Sequence, residues 1–142
     1  MTSVLVAGAA ATWAMAGVIW VMQLVHYPML VGYSAMSPVT AAVDHQRRIT
    51  WIVGPLMAVE GTTALALLVD RPDTMSALSA WVAAALLGVA LASTWLLQVP
   101  MHSVLARGHD ADAGRRLITT NWIRTAAWTA RGIVLAAVLA TP

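Results

Sequence analysis

Residues 4–30 read VLVAGAAATWAMAGVIWVMQLVHYPML, without one Asp, Glu, Lys or Arg. At about 1.5 Å per residue, roughly 20 residues of helix cross a ~30 Å hydrocarbon core, so this stretch is long enough to span a bilayer. A secretory leader has a basic start and a shorter apolar segment. Residues 1–8 carry no positive charge, and the stretch reads as a retained transmembrane helix.

Three further runs of the same character follow, at about 49–69, 75–101 and 117–139. Between the second and third, Asp70-Arg71-Pro72-Asp73 makes a tight turn in which Pro72 and the acids break the helix. The fold class expected is therefore all-α: one integral membrane four-helix bundle covering residues 1–142. Composition agrees. Of 142 residues, 60% are hydrophobic and 10% charged, whereas a soluble domain carries about a quarter charged residues.

The formal net charge of +2 does not point to nucleic acid. All the basic residues are Arg, and most flank apolar runs, which is how loop charges orient a membrane protein. Arg47, Arg48, Arg107, Arg115 and Arg116 lie on the side with the two longer connections, and only Arg71 lies on the other. The positive-inside rule then makes the two-connection side cytoplasmic and puts both termini outside. The absence of Lys beside abundant Ala and Arg fits a GC-rich bacterial genome, so the expected location is the bacterial inner membrane. The absence of Cys excludes disulfides, thiolate metal sites and dithiol chemistry. There is no Rossmann fingerprint, phosphate loop, nucleophile elbow or His-Glu-x-x-His helix.

The halves resemble a duplicated hairpin. Gln23-Leu-Val-His26-Tyr-Pro28 closes one helix before Arg47-Arg48, and Gln98-Val-Pro100-Met-His102 closes another before Arg115-Arg116. Trp20 and Trp95 each precede the Gln by three residues. Two such repeats would set His26 and His102 facing each other about an axis along the membrane normal.

Four histidines share the cytoplasmic side: His26 and His102 at helix ends, His45 and His109 in the connections. Neutral imidazole is a common metal ligand and a haem axial ligand. The plainer reading is that interfacial His, like Trp and Tyr, suits the headgroup region. Met22, Met29, Met57 and Met101 lie nearby; thioether with imidazole suits Cu(I), although Met is also ordinary apolar filler. Glu60 and Arg131 fall at similar depths near mid-bilayer, where a charge costs about 2.5–3.5 kcal/mol, so they are expected to face inward as a salt bridge or a proton-handling pair. Asn121, Arg124, Trp128 and Arg131 recur every three or four residues with Thr125 beside them. They form a polar stripe that must line the bundle rather than meet lipid. Ser93, Thr94 and Gln98 are candidates to meet it. Two arginines on one inward face suggest an anionic group inside.

The pattern Gln-x-x-His-Tyr-Pro at 23–28, Arg-Arg-Ile-x-x-x-x-Gly-Pro at 47–55, Met-x-x-Glu at 57–60, Gln-Val-Pro-x-His at 98–102 and Asn-Trp-Ile-Arg-Thr-x-x-Trp at 121–128 resembles a family of small bacterial four-helix membrane proteins without an assigned activity. More distantly, the chain is similar to the four-helix haem-binding protoporphyrinogen oxidase and copper-resistance membrane group, and to anthrone-oxygenase-like membrane proteins. The lysine expected of such an oxidase is missing here.

The leading expectation is a membrane-embedded oxidoreductase or redox-cofactor protein acting on a lipophilic or aromatic small molecule. His26 and His102, with His45 and His109 as further ligands, would hold haem b or a copper or iron ion. Gln23 and Gln98 would orient ligands, and Arg47, Arg48, Arg115, Arg116 and Arg131 would meet anionic groups. Glu60, Asn121 and Arg124 would carry the chemistry, with Trp95, Trp122 and Trp128 as aromatic walls. The alternatives are a small, homo-oligomeric transporter or binding protein for an anionic lipophile, without a cofactor, and an accessory subunit whose polar stripe packs against a partner.

Overall fold

A computed structural model describes residues 1–33, 38–108 and 110–141. Among these residues every regular element is helical: α1 (Thr2–Val21), a π-helical turn (Met22–His26), α2 (Tyr27–Tyr33), α3 (Pro38–Val69), α4 (Ala77–Ser93), a second π-helical turn (Thr94–Gln98), α5 (Val99–Leu105) and α6 (Ala111–Leu139). The π turns continue their helices, so the elements make four rods: α1–α2, α3, α4–α5 and α6. Neighbours around the bundle are α1 with α3, α3 with α4, α4 with α6, and α6 with α1.

Local chemistry sets the ends. Ser76 accepts the Ser79 N–H (3.0 Å) to cap α4, and Asp110 accepts the Ala113 N–H (2.8 Å) to cap α6. Each π turn ends two residues before a proline, Pro28 and Pro100. A proline ring clashes with the carbonyl four residues back and offers no N–H. The widened turn accommodates this, with Tyr27 N–H donating to Met22 O and Val99 N–H to Thr94 O, each five residues back.

Three rods, over Thr2–Val31, Ala42–Val69 and Ala77–Leu105, are long and apolar enough to cross a hydrocarbon core. Contrary to the expectation of four equivalent spans, α6 is not among them. It packs against the α1–α2 and α4–α5 rods, and its polar stripe is turned into the bundle. A second correction concerns α3, which begins at Pro38 and not near residue 49. Arg47, Arg48 and His45 therefore belong to a helix, with Ala42 and His45 turned inward and Arg47 paired to Asp44 on the outside (3.2 Å).

The core alternates along the bundle. An apolar cluster around Leu5, Leu67, Met75, Ala83 and Leu135 fills the end bearing the 70–76 turn. Another around Met15, Ile19, Ala90 and Trp128 fills the middle, and a third around Tyr27, Leu30, Leu105 and Leu117 fills the opposite, histidine end. Polar layers separate them. Close approach of α1 to its neighbours depends on glycine: a Cβ at Gly8 would lie 2.9 Å from Thr63 Oγ1, and one at Gly132 would lie 3.0 Å from the Trp13 ring.

Candidate functional site

The inner polar layer is a closed knot. Glu60 on α3 accepts from Thr12 Oγ1 (2.7 Å) and from Trp128 Nε1 (2.9 Å), and lies 3.5 Å from Arg131 Nε. Arg131 Nε also donates to Thr12 Oγ1 (3.0 Å), and its NH1 donates to the Ala83 carbonyl. All four rods meet here, α6 contributing both Trp128 and Arg131, and both charged side chains are essentially inaccessible. The salt bridge expected from depth is present. Thr12, the one hydroxyl residue of α1 beyond Thr2 and Ser3 at its start, and the Ala83 carbonyl were not singled out by sequence.

The second layer is organised by the π turns, which turn Gln23 and Gln98 into the core. Gln23 accepts from Asn121 Nδ2 (2.8 Å) and donates to the Ile118 carbonyl (3.2 Å). Asn121 in turn accepts from Arg124 NH1 (3.2 Å). Gln98 donates to Thr120 Oγ1 (2.7 Å) and the Leu117 carbonyl (3.4 Å). Both glutamines thus address α6. The Arg124 guanidinium lies over the Trp128 ring, 5.3 Å from its centroid, a favourable cation–π arrangement.

Beside Arg124, three imidazoles line up. His26 stacks on His45 with centroids 4.4 Å apart, and His45 lies 5.3 Å from His102. His26 and His102 do not face each other, because His45 sits between them. Tyr27 completes the group, its hydroxyl 3.4 Å from His102 Nε2. Gln46 donates to the His102 carbonyl (2.8 Å) and so ties α3 to α5. His45 escaped sequence reading as an inward residue because it was assigned to a connection; the helix start at Pro38 was the available signal.

These side chains border a cleft of about 400 Å³ between α3 and the α4–α5 rod. His45, His102, Tyr27, Gln98 and Arg124 line its histidine end, and Val18, Ile19, Val53 and Met57 line it toward the bundle middle. Among its lining residues, His45 Nε2, His102 Nδ1, Gln98 Oε1 and Arg124 Nε are buried with no hydrogen-bond partner among the described residues, as is Nε2 of the neighbouring His26. Buried polar groups are ordinarily satisfied by protein or by ordered water, so these atoms are free to hydrogen-bond water or a ligand in the cleft.

Of the sequence-derived candidates, the structure brings together His26, His45, His102, Gln23, Gln98, Asn121 and Arg124. It places Glu60 and Arg131 in the separate knot. Arg47, Arg48, Arg115 and Arg116 are exposed, with Arg115 paired to Asp112. His109 lies outside the described residues. Trp95 lines the cleft, whereas Trp122 packs edge-on against Trp20 with centroids 5.6 Å apart. Among the described residues no group of three or more His, Asp or Glu is placed to hold a metal ion. A haem held by two imidazoles lies between them, and the 4.4 and 5.3 Å spacings leave no gap for a macrocycle between neighbouring rings. What the cluster offers is single imidazole edges.

No protein-family model matches the chain, and neither does any curated protein or solved structure.

Proposed function

We propose that this chain is an integral membrane protein, built from two related helical hairpins, that binds a lipophilic molecule bearing one anionic group in the cleft between α3 and the α4–α5 rod. The histidine end faces the cytoplasm of a bacterium and both termini lie outside. The observation that carries the reading is Arg124. It is 5% exposed, lines the cleft, and has no carboxylate within ion-pair reach among the described residues. A buried cation is costly unless paired. Each buried arginine has one unpartnered nitrogen among the described residues, but Arg131 has its carboxylate, whereas Arg124 has only Asn121, the Tyr27 hydroxyl and an aromatic face. An anionic head group supplies the missing partner. His102, His45 and Tyr27 lie beside it to hydrogen-bond the same group. The stripe on α6 is enclosed within the bundle, which speaks against its use as a docking face for another subunit.

The test is binding of decanoic acid and of its methyl ester to the protein in nanodiscs. A hydrogen bond to a charged group contributes about 1.5–3 kcal/mol, or roughly 10- to 100-fold in affinity. Arg124→Gln is expected to weaken the acid by that factor and leave the ester unchanged. Equal binding of acid and ester to the wild type overturns the reading. The unpaired imidazole nitrogens favour a second reading, an oxidoreductase whose haem or metal ion is held by an imidazole edge. The same preparations decide it: a Soret band or stoichiometric metal that disappears in one of His26→Ala, His45→Ala and His102→Ala supports it, and a colourless, metal-free protein after cofactor-replete expression removes it.

A further inference from the structure

The cleft reaches the flank of the bundle between α3 and the α4–α5 rod, where Thr50, Trp95 and Val99 are exposed. Thr50 and Gly54 on α3 form one lip, and Trp95 and Val99 form the other. Trp95 is 65% exposed and Val99 42%. Gly54 and Trp95 lie inside the apolar stretches Ala42–Val69 and Ala77–Leu105, and Thr50, close to Arg47 and Arg48, and Val99 lie toward their histidine-side margin. Toward the 70–76 turn, Leu67 of α3 shares a core cluster with Ala80 and Ala83 of α4, so the gap belongs to the histidine half alone. A Cβ at Gly54 would meet nothing within 4 Å; the glycine keeps its lip low.

The lining also has a direction. Its polar groups and its one uncompensated charge cluster at the histidine end, and its apolar walls run inward to Val18 and Met57. The volume of about 400 Å³ is near the lower bound of small-molecule sites, roughly 300–1,000 Å³. It suits one ring or one short chain, not a two-chain lipid.

We infer that the ligand is a single-chain or single-ring amphiphile with one negative charge, drawn sideways from the lipid leaflet on the histidine side through the gap between Thr50–Gly54 and Trp95–Val99. This rests on the reading of Arg124 as the anion site. Lipids of that leaflet already point their heads to the histidine face and their chains to the mid-plane. A molecule moving from leaflet to cleft keeps its orientation, exchanging lipid for Val53 and Met57 along its chain and water for Arg124 at its head. Neither end of it crosses an unfavourable medium on the way.

The chain contains no cysteine, so Thr50→Cys and Val99→Cys each place one unique attachment point on a lip, and Arg107→Cys places one beyond α5. Each variant is capped with pyrene maleimide in detergent and reconstituted into phosphatidylcholine nanodiscs. Loading is read as the yield of photo-adduct with decanoic acid carrying a chain-end diazirine, mapped by mass spectrometry. Wild type is expected to label at Val53 and Met57. Each lip cap is expected to lower that yield at least about tenfold relative to the same variant before capping, while the Arg107→Cys cap labels as wild type. Gly54→Leu, which raises one lip without any cap, is expected to act like a lip cap. Absence of wild-type adducts at Val53 and Met57, or blockage by the Arg107→Cys cap and not by the lip caps, overturns the proposal. Equal labelling by the methyl ester is a different failure: it removes the anion reading, while the caps still judge the sideways route.

Discussion

Arg124 and Arg131 stand two turns apart on one face of α6, yet their circumstances are opposite. Arg131 shares its charge with Glu60 and its hydrogen bonds with Thr12 and Ala83; Arg124 has no counter-charge. Removing one partner of a buried pair leaves the other uncompensated, typically at about 3–5 kcal/mol. Glu60→Gln is therefore expected to lower the thermal stability of the detergent-solubilised protein by about that much. The double variant Glu60→Gln with Arg131→Met is expected to recover most of the loss. A Glu60→Gln protein that melts with the wild type would show that the knot does not hold the bundle. At this scale the sequence is half legible. The three-to-four spacing put both arginines and Asn121 on an inward face, and depth matched Glu60 to Arg131. It did not separate the two arginines, because that depends on which way each long side chain turns and on Thr12, a residue with no pattern around it.

Helix boundaries and helix register carry the next layer. The π turns coincide with the Gln-x-x-His-Tyr-Pro and Gln-Val-Pro-x-His motifs, where each proline forces the preceding turn open. The repeated motif was visible; its use was not, since both glutamines reach α6 where a symmetric arrangement would send one to α3. The start of α3 was missed for a similar reason. Asp44, Gln46, Arg47 and Arg48 make its first turns look like a connection, although their charged members lie on the outer side and His45 on the inner. Packing between rods rests on close approach, and two glycines give opposite expectations. Gly132 has the Trp13 ring 3.0 Å from its would-be Cβ, whereas Gly17 has nothing within 4 Å. Overpacking a tight contact costs about 1–3 kcal/mol. Gly132→Leu is expected to destabilise by that amount in a thermal melt, with Gly17→Leu close to wild type. Equal effects from the two would mean that α1 and α6 are not held at this point.

Across the whole molecule, the amount of charge and its side were the clearest features of the sequence. Four rods were expected and four are found, three of them apolar enough to span. The fourth, α6, is central because it carries the polar groups the others enclose, and composition alone cannot distinguish a helix inside a bundle from one that faces water. The proposed topology has a direct check in the cysteine-free background. Thr74→Cys, in the 70–76 turn, is expected to react with a membrane-impermeant maleimide in intact cells, and Arg107→Cys only after the membrane is opened. The reverse pattern would invert the orientation, carrying the cleft to the other leaflet.

The Glu60 knot also limits what the bundle can do as a machine. It pins all four rods at one level, so spreading α3 from α4 at the histidine end is a lever movement about a fixed fulcrum, and the far half stays shut. To open on both faces in turn, as a carrier must, the chain would have to pull apart a buried ion pair and its hydrogen bonds together. To gape at the histidine end it need break none of them, only the Gln46 hydrogen bond to the His102 carbonyl that ties α3 to α5. On the proposed reading the mechanics are those of a clothes-peg, not a revolving door: a vessel with one mouth.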